Sequence, residues 1–282
     1  MPSPSVDSTP QYLNAPGGPK LFFRSWLPPS VPKSVVLLVH GLAEHSGRYE
    51  HVASRLIKQG HAVFGFDFRG HGQSEGKRIY VNHFSEFVDD LAAVYTKVKA
   101  SYPSLPFFIL AHSMGTTVSL NFLIDKAPQV SGVILSGTAL MAGSDISPIL
   151  ISLSGIIGAL LPKLPTVRLN SRTISRDPAI VQGYHNDPLV YNGKIPARTG
   201  AELNRVFGYI QWNLSLVTCP LLILHGKDDE LANPEGSNML YKGCAAEDKT
   251  LKLWNGLYHE ILNEPEKDEV IDLLSSWIEE RV

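Results

Sequence analysis

The sequence predicts an α/β fold with a mostly parallel central sheet, flanking helices and an inserted helical segment. Three observations carry this. Several short runs are continuously aliphatic or β-branched, the pattern of strands buried on both faces. Those runs alternate with segments of helical period, as in a sheet covered by helices on both sides. The alternation stops near Ala139 and resumes at Pro220.

The elements follow in order. Leu21–Trp26 reads as an early edge strand, and Val35–Val39 as a strand buried on both faces. Tyr49–Gln59 has helical spacing through Val52, Leu56 and Ile57. Ala62–Asp67 is the next strand. Phe84–Ala100 is a helix with Phe87, Leu91, Val94 and Val98 on one face. Phe107–Leu110 is a strand, Met114–Lys126 a helix and Gly132–Ser136 a strand. From Ala139 to Trp212 only helical and proline-rich pieces occur. Then come the strand Pro220–Leu224, a helix around Ser237–Lys242 and the strand Thr250–Trp254. The amphipathic helix Glu266–Arg281 closes the chain, with Val270, Ile271, Leu274, Trp277 and Ile278 inward. The expected organisation is a core of residues 1–138 and 213–282 with an insertion at 139–212.

Composition narrows the function. The chain has 282 residues, 44% hydrophobic and 18% charged, which suits a globular fold. A net charge of −2 without a long Lys/Arg run gives no reason to expect nucleic acid as a partner. Cys219 and Cys244 are too few for a disulfide framework and read as free thiols of a reducing compartment. Residues Met1–Gln11 are polar and lack the apolar core of a signal peptide, so a cytoplasmic location is expected. Ile146–Leu164 is apolar but broken by Pro148, Gly155, Gly158, Pro162 and Lys163. A spanning helix needs about 20 apolar residues, so an interfacial or covering helix fits this stretch better.

The pattern G-x-S-x-G occurs once letter for letter, as Gly72-Gln73-Ser74-Glu75-Gly76, and once as a near miss, Ala111-His112-Ser113-Met114-Gly115. The motif has chemical meaning only on a sharp turn between a strand and a helix, where it exposes a serine nucleophile. Ser113 sits at such a junction. Ser74 sits in a glycine-rich loop with no helix opening after it.

A serine hydroxyl needs a neighbouring base, and the base needs an orienting carboxylate. In sheets of this kind the chain order is Ser, then Asp or Glu, then His. His259 is the one histidine after Asp229, which makes it the base if Ser113 is the nucleophile. Asp228 and Asp229 both follow the Leu221–Leu224 run, and spacing alone leaves the two open. An oxyanion needs two backbone donors. Met114 N–H follows the nucleophile, and Leu42 N–H lies in the turn after Val35–Val39. His40, His71 and His112 read as turn and core histidines. None of the ten histidines falls in a metal-binding spacing, and no metal or cofactor is expected.

With these motifs in view, the chain resembles the monoacylglycerol lipase (monoglyceride lipase) family of the α/β-hydrolase superfamily, in its serine-aminopeptidase-like and lysophospholipase group. The likeness runs from about Pro19 to the end. It rests on His40-Gly41-Leu42-Ala43-Glu44-His45-Ser46-Gly47-Arg48-Tyr49, Gly70-His71-Gly72-Gln73-Ser74-Glu75-Gly76, His112-Ser113-Met114-Gly115 and Asp187-Pro188-Leu189. The resemblance implies a triad of Ser113, Asp229 and His259, oxyanion donors at Leu42 and Met114, and a scaffold role for Ser74. It also implies a narrow alcohol pocket to which Glu44, Arg48 and Tyr184 correspond by position. Glu44 and Arg48, four apart, equally suit an ion pair at a helix start. The insertion at 139–212 then corresponds to the family's cap. Its apolar residues, among them Ile149, Leu153 and Ile157, are expected to line an acyl channel, with the outer side facing lipid.

Two departures stand out. Ala111 replaces the family's usual glycine, and Leu262 stands where some members carry a second histidine. The implied activity is hydrolysis of monoacylglycerols through an acyl-enzyme. A lysophospholipase or broad carboxylesterase is the alternative within the same chemistry. A non-catalytic ligand receptor on a hydrolase fold is the alternative outside it.

Overall fold

The computed structural model describes residues 11–15, 17–143 and 147–282. The reading of residues 1–10 as free of a signal peptide, and Ile146 at the head of the apolar stretch, lie outside the described residues. Eight strands form one sheet: β1 Gln11–Asn14, β2 Lys20–Trp26, β3 Ser34–Val39, β4 His61–Phe66, β5 Phe107–His112, β6 Gly132–Ser136, β7 Leu221–Gly226 and β8 Lys249–Trp254. Their order is β1-β2-β4-β3-β5-β6-β7-β8. β2 pairs antiparallel with β1 and β4, and every other neighbouring pair is parallel. β2 alone therefore runs against the rest.

One expectation is corrected here. Leu21–Trp26 is not the edge of the sheet, because β1 covers it, with Tyr12 opposite Phe22. β1 is only four residues long and half-exposed in alternation, so it lacks the continuous apolar run that marks the central strands.

The strands divide their side chains between two cores. Val35, Leu37, Val39, Phe107, Ile109 and Ala111 face one side. Val36, Leu38, Phe108 and Leu110 face the other. This is the two-residue period of a pleated strand, with both faces apolar because both are covered. The first face is covered by α2 (Ser85–Ser101) and α3 (Met114–Lys126), through Phe87, Leu91, Val118 and Phe122, and by Leu240 of α7 (Glu235–Gly243). The second is covered by α1 (Glu50–Lys58) and α8 (Lys267–Glu279), through Val52, Leu56, Val270 and Trp277.

Between β6 and β7 the chain makes α4 (Pro148–Leu160), α5 (Pro178–Asn186) and α6 (Ala197–Trp212), with no strand among the described residues. α4 lies on α6, where Asn204 Nδ2 donates to Ser154 Oγ at 3.2 Å and to the Ile151 carbonyl at 3.3 Å. The base of the insert is tied to the loop after β3. Tyr191 N–H donates to the Ala43 carbonyl at 2.8 Å, and His45 Nε2 donates to Asp187 Oδ2 at 2.8 Å. No helix among the described residues is long and apolar enough to cross a membrane.

Candidate active site

β5 ends at His112 and α3 begins at Met114, so Ser113 alone makes the turn. It does so at φ +51° and ψ −124°, a left-handed backbone that costs a non-glycine residue of order 1 kcal/mol or more. The strain is held by a tight approach behind it. A Cβ on Gly115 would stand 2.3 Å from the Val39 carbonyl oxygen, so only glycine lets α3 start this close to β3. Gly41 is also closely packed, since a Cβ there would meet Ser113 Cβ at 3.0 Å and Glu44 Oε1 at 2.9 Å. Ala111 is fully buried within β5 and points into the sheet's first core. Its methyl is absorbed by packing and leaves the turn unaltered.

Ser113 Oγ lies 2.8 Å from His259 Nε2, and His259 Nδ1 lies 2.6 Å from Asp229 Oδ2. The three residues come from the ends of β5, β7 and β8, on one rim of the sheet. Asp229 is buried, whereas Asp228 lies exposed in the same loop. Burial pushes the Asp229 carboxyl up, but His259 and His225 beside it prevail and hold it well below the usual carboxylate range. Burial likewise disfavours protonated His259, yet the Asp229 charge overrides it and raises the imidazole above its ordinary value.

The turn after β3 faces Ser113. Among the described residues, Leu42 N–H and Met114 N–H, which both border the cavity, donate to no protein acceptor. The turn is strapped from two sides. His40 Nδ1 donates to the Gly41 carbonyl at 2.7 Å, while its Nε2 accepts from Phe68 N–H at 3.0 Å. Glu44 Oε1 accepts from Gly41 N–H and from Tyr49 Oη, both at 2.6 Å.

Glu44 belongs to a buried charge cluster. Arg48 donates to Glu44 Oε2 at 2.8 Å and grips both oxygens of Glu260 at 2.6 and 2.7 Å. Its guanidinium lies 4.9 Å from the Tyr184 ring centre. Burial would push the Glu44 carboxyl up, but Arg48 beside it brings it down to about 2. Burial, together with the carboxylates of Glu260 and Glu44, pushes the Tyr184 hydroxyl up. Burial and the neighbouring His259 lower His112 to about 4.

A cavity opens above Ser113, and its two ends differ. Glu44, His112, Tyr184 and Glu260 border it near the serine, while Leu150, Ile151, Ile157, Leu203 and Phe207 form an apolar wall from α4 and α6. Three expectations are corrected. Arg48 does not border the cavity; its Nη1 and Nη2 are turned toward the carboxylates of Glu44 and Glu260. Ile149 and Leu153 do not border it either, and are 71% and 43% exposed. The Asn204 bonds to Ser154 and Ile151 turn that face of α4 inward and Ile149 and Leu153 outward. Ser74 is structural: its Oγ accepts from Phe22 N–H at 2.8 Å and donates to the Asp67 carbonyl.

Sequence reasoning missed Glu260, Tyr49 and His225. Glu260 adjoins His259, but nothing in a single sequence tells a buried loop carboxylate from a solvated one. His225 stands four residues before Asp229 at the end of an apolar run, and that spacing was its one available signal. Among the described residues no group of three or more His, Cys, Asp or Glu is placed to hold a metal ion.

A strained serine at a strand-to-helix turn, backed by a histidine and a buried carboxylate on one rim of a parallel sheet, defines the α/β-hydrolase class. The chain matches the Serine aminopeptidase, S33 family (Hydrolase_4) over residues 30–266. It is 39% identical to the monoacylglycerol lipase of Mycolicibacterium smegmatis over 93% of this chain and 94% of that one. It is 33% identical to the rat (Rattus norvegicus) monoglyceride lipase over 97% and 91%. The crystal structure of the Paleococcus ferrophilus monoacylglycerol lipase superposes with a TM-score of 0.85 at 28% identity, covering 93% of this chain and 99% of that one. The chain belongs to the Serine aminopeptidase, S33 family of α/β-hydrolases and, within it, to the monoacylglycerol lipases.

Proposed function

We propose that the protein hydrolyses monoacylglycerols to glycerol and a free fatty acid, through an acyl-enzyme on Ser113. The observation that carries this is the hydrogen-bonded chain Ser113–His259–Asp229 at the floor of a cavity with one polar and one apolar end. The monoacylglycerol lipases described above support the substrate class.

The steps follow from the geometry. His259 Nε2 accepts the Ser113 proton as Oγ attacks the ester carbonyl. Asp229 holds His259 with Nε2 free to accept and stabilises the imidazolium. The amides of Leu42 and Met114 receive the oxyanion. His259 then returns the proton to the leaving glycerol oxygen, and a water activated by His259 releases the fatty acid. The Glu44, Tyr184 and Glu260 end of the cavity takes the alcohol, and the Leu150, Ile157 and Phe207 wall takes the acyl chain. No step calls for a cofactor.

Residues 139–212 act as a cap over residues 1–138 and 213–282. Ile149, Ile156 and Leu160 of α4 are 71%, 61% and 74% exposed. This face rests on a lipid surface while the inner face guides the chain. Ile156→Glu is expected to weaken co-sedimentation with phospholipid vesicles and leave turnover of a short, dispersed ester intact.

The reading is tested by glycerol release from a long-chain monoacylglycerol. Ser113→Ala is expected to lose at least ~10³-fold, while Ser74→Ala, which touches only scaffold, retains activity. No glycerol from the wild-type protein, with hydrolysis of lysophospholipid or other esters instead, would overturn the substrate class.

A further inference from the structure

His225 lies at the end of β7, fully buried, and plays no part in the steps above. Its Nε2 is 2.9 Å from Asp229 Oδ2, the same oxygen that receives His259 Nδ1, and 3.2 Å from the Ala232 carbonyl. Both of those groups only accept, so Nε2 carries the proton. Its Nδ1 is 2.7 Å from Ser237 Oγ on α7, which fixes the ring from behind. Asp229 Oδ1 is taken by the backbone N–H groups of Leu231 and Ala232 at 2.8 and 2.9 Å. The carboxylate thus receives four donors, two of them histidines converging on one oxygen.

We infer that His225, braced by Ser237, is a positioning residue that sets both the orientation of Asp229 and the basicity of His259. The inference rests on the acyl-transfer reading above. A carboxylate anchored through Oδ1 alone keeps a torsional freedom that carries Oδ2 away from His259, and the His225 N–H removes it. The same N–H draws charge from Oδ2. Asp229 would otherwise favour the protonated form of His259 more strongly, leaving less free base to accept the serine proton. His225 therefore tempers the partner that His259 needs. The other charged or titratable groups facing His259 are Glu44 from the loop after β3, His112 from β5 and Glu260 beside it. Arg48 pairs with both carboxylates. None of them touches Asp229 Oδ2, so their influence is unchanged by substitution at His225.

The test compares His225→Gln, His225→Asn and His225→Leu with wild type. A glutamine amide nitrogen reaches the position of imidazole Nε2, whereas asparagine is one methylene too short. The readout is the rate of Ser113 modification by a fluorophosphonate against pH, normalised to the folded fraction from circular dichroism, with monoacylglycerol turnover measured alongside. His225→Asn and His225→Leu are expected to slow both reactions about 10- to 100-fold, the worth of one hydrogen bond to a charged group. Their acid limbs are expected to move to higher pH, by roughly half a pH unit. His225→Gln is expected to restore the rate and the limb. Equal losses in all three variants with an unmoved limb would reduce His225 to a brace of the 229–232 turn and overturn the inference, as would unchanged rates in His225→Asn. Wild-type protein that is labelled at Ser113 but idle on monoacylglycerols would overturn the substrate reading alone, and the labelling rates would still decide the role of His225.

Discussion

Replacing Arg48 by methionine isolates what the buried charge cluster contributes. The substitution keeps most of the aliphatic stem and removes the guanidinium, leaving Glu44 and Glu260 buried without their cation. The lowering of Glu44 from the usual 4.5 to about 2 corresponds to about 3 kcal/mol of folding stability at 1.36 kcal/mol per pH unit. Stranding a buried partner charge costs roughly 3 to 5 kcal/mol, which agrees in order of magnitude. At about 2 °C per kcal/mol for a chain of this size, the melting temperature should fall by roughly 6 to 10 °C at pH 8. The sign of the pH dependence separates charge from packing. In the wild type the Glu44 carboxyl is depressed, so its contribution is full above 4.5 and is lost as pH falls toward about 2. In Arg48→Met the guanidinium no longer offsets burial at Glu44 and its carboxyl rises, so the penalty is full at alkaline pH and relieved as that carboxyl takes up a proton. Thermal denaturation followed by circular dichroism at pH 8 and pH 5 should show the gap narrowing at pH 5. A gap that is constant with pH, or smaller than about 2 °C, would mean that stem packing and not charge pairing is what Arg48 supplies.

Further outcomes follow from the same geometry. Because Asp229 raises the His259 imidazole, the acid limb of kcat/KM should lie above the ordinary histidine value near 6.5, with activity lost as pH falls through it. A limb well below 6.5 would contradict the burial and pairing of His259. Gly115→Ala should abolish soluble, active protein, since its Cβ would stand 2.3 Å from the Val39 carbonyl oxygen. Recovery of folded enzyme at wild-type yield would refute that packing. His40→Leu leaves Phe68 N–H buried and unpaired and frees the Gly41 carbonyl, at a cost of about 1 to 3 kcal/mol. It should lower kcat more than it raises KM, because it loosens the turn whose Leu42 amide is proposed to receive the oxyanion, and equal kcat with a lower melting point would confine His40 to stability.

The parts of the fold that sequence patterning made legible are those where burial is total. β3, β5 and β7 lie between two helical layers, so their residues are apolar without alternation, and the expected boundaries differ from the observed ones by at most two residues. β1 escaped notice because an edge strand of four residues needs no such run. α4 shows a different limit. Its residues are apolar all round except for Ser152 and Ser154, so no polar face tells which side turns inward. The structure even inverts the usual rule: Ser154 borders the cavity and Ile149 and Ile156 face out, because Asn204 of α6 pairs with Ser154. In the site, chain order and loop position were enough to single out Ser113, His259 and the Asp228–Asp229 pair. The supports behind them, His225, Tyr49 and Glu260, are ordinary polar residues whose burial is a tertiary fact.

The two G-x-S-x-G stretches show why context outranks spelling. Ser74 has both glycines, but its hydroxyl is consumed by Phe22 N–H and the Asp67 carbonyl, so its proton is not available to a base. Ser113 lacks the first glycine and keeps what matters: a left-handed backbone, Gly115 packed on β3 and a histidine at 2.8 Å. Residue 111 lies within a strand whose side chain points into the core, where a methyl is welcome. Residue 115 lies where the helix touches a carbonyl, where a methyl is forbidden. The two glycines of the pattern therefore carry unequal physical weight. A strand-to-helix serine followed by x-Gly is the stronger half of the signature. His45–Asp187 and Tyr191–Ala43 carry the same logic outward. They fasten residues 187–191 to the loop that faces Ser113, which on the proposed reading leaves α4, whose outward face is already apolar, as the side from which a lipid enters.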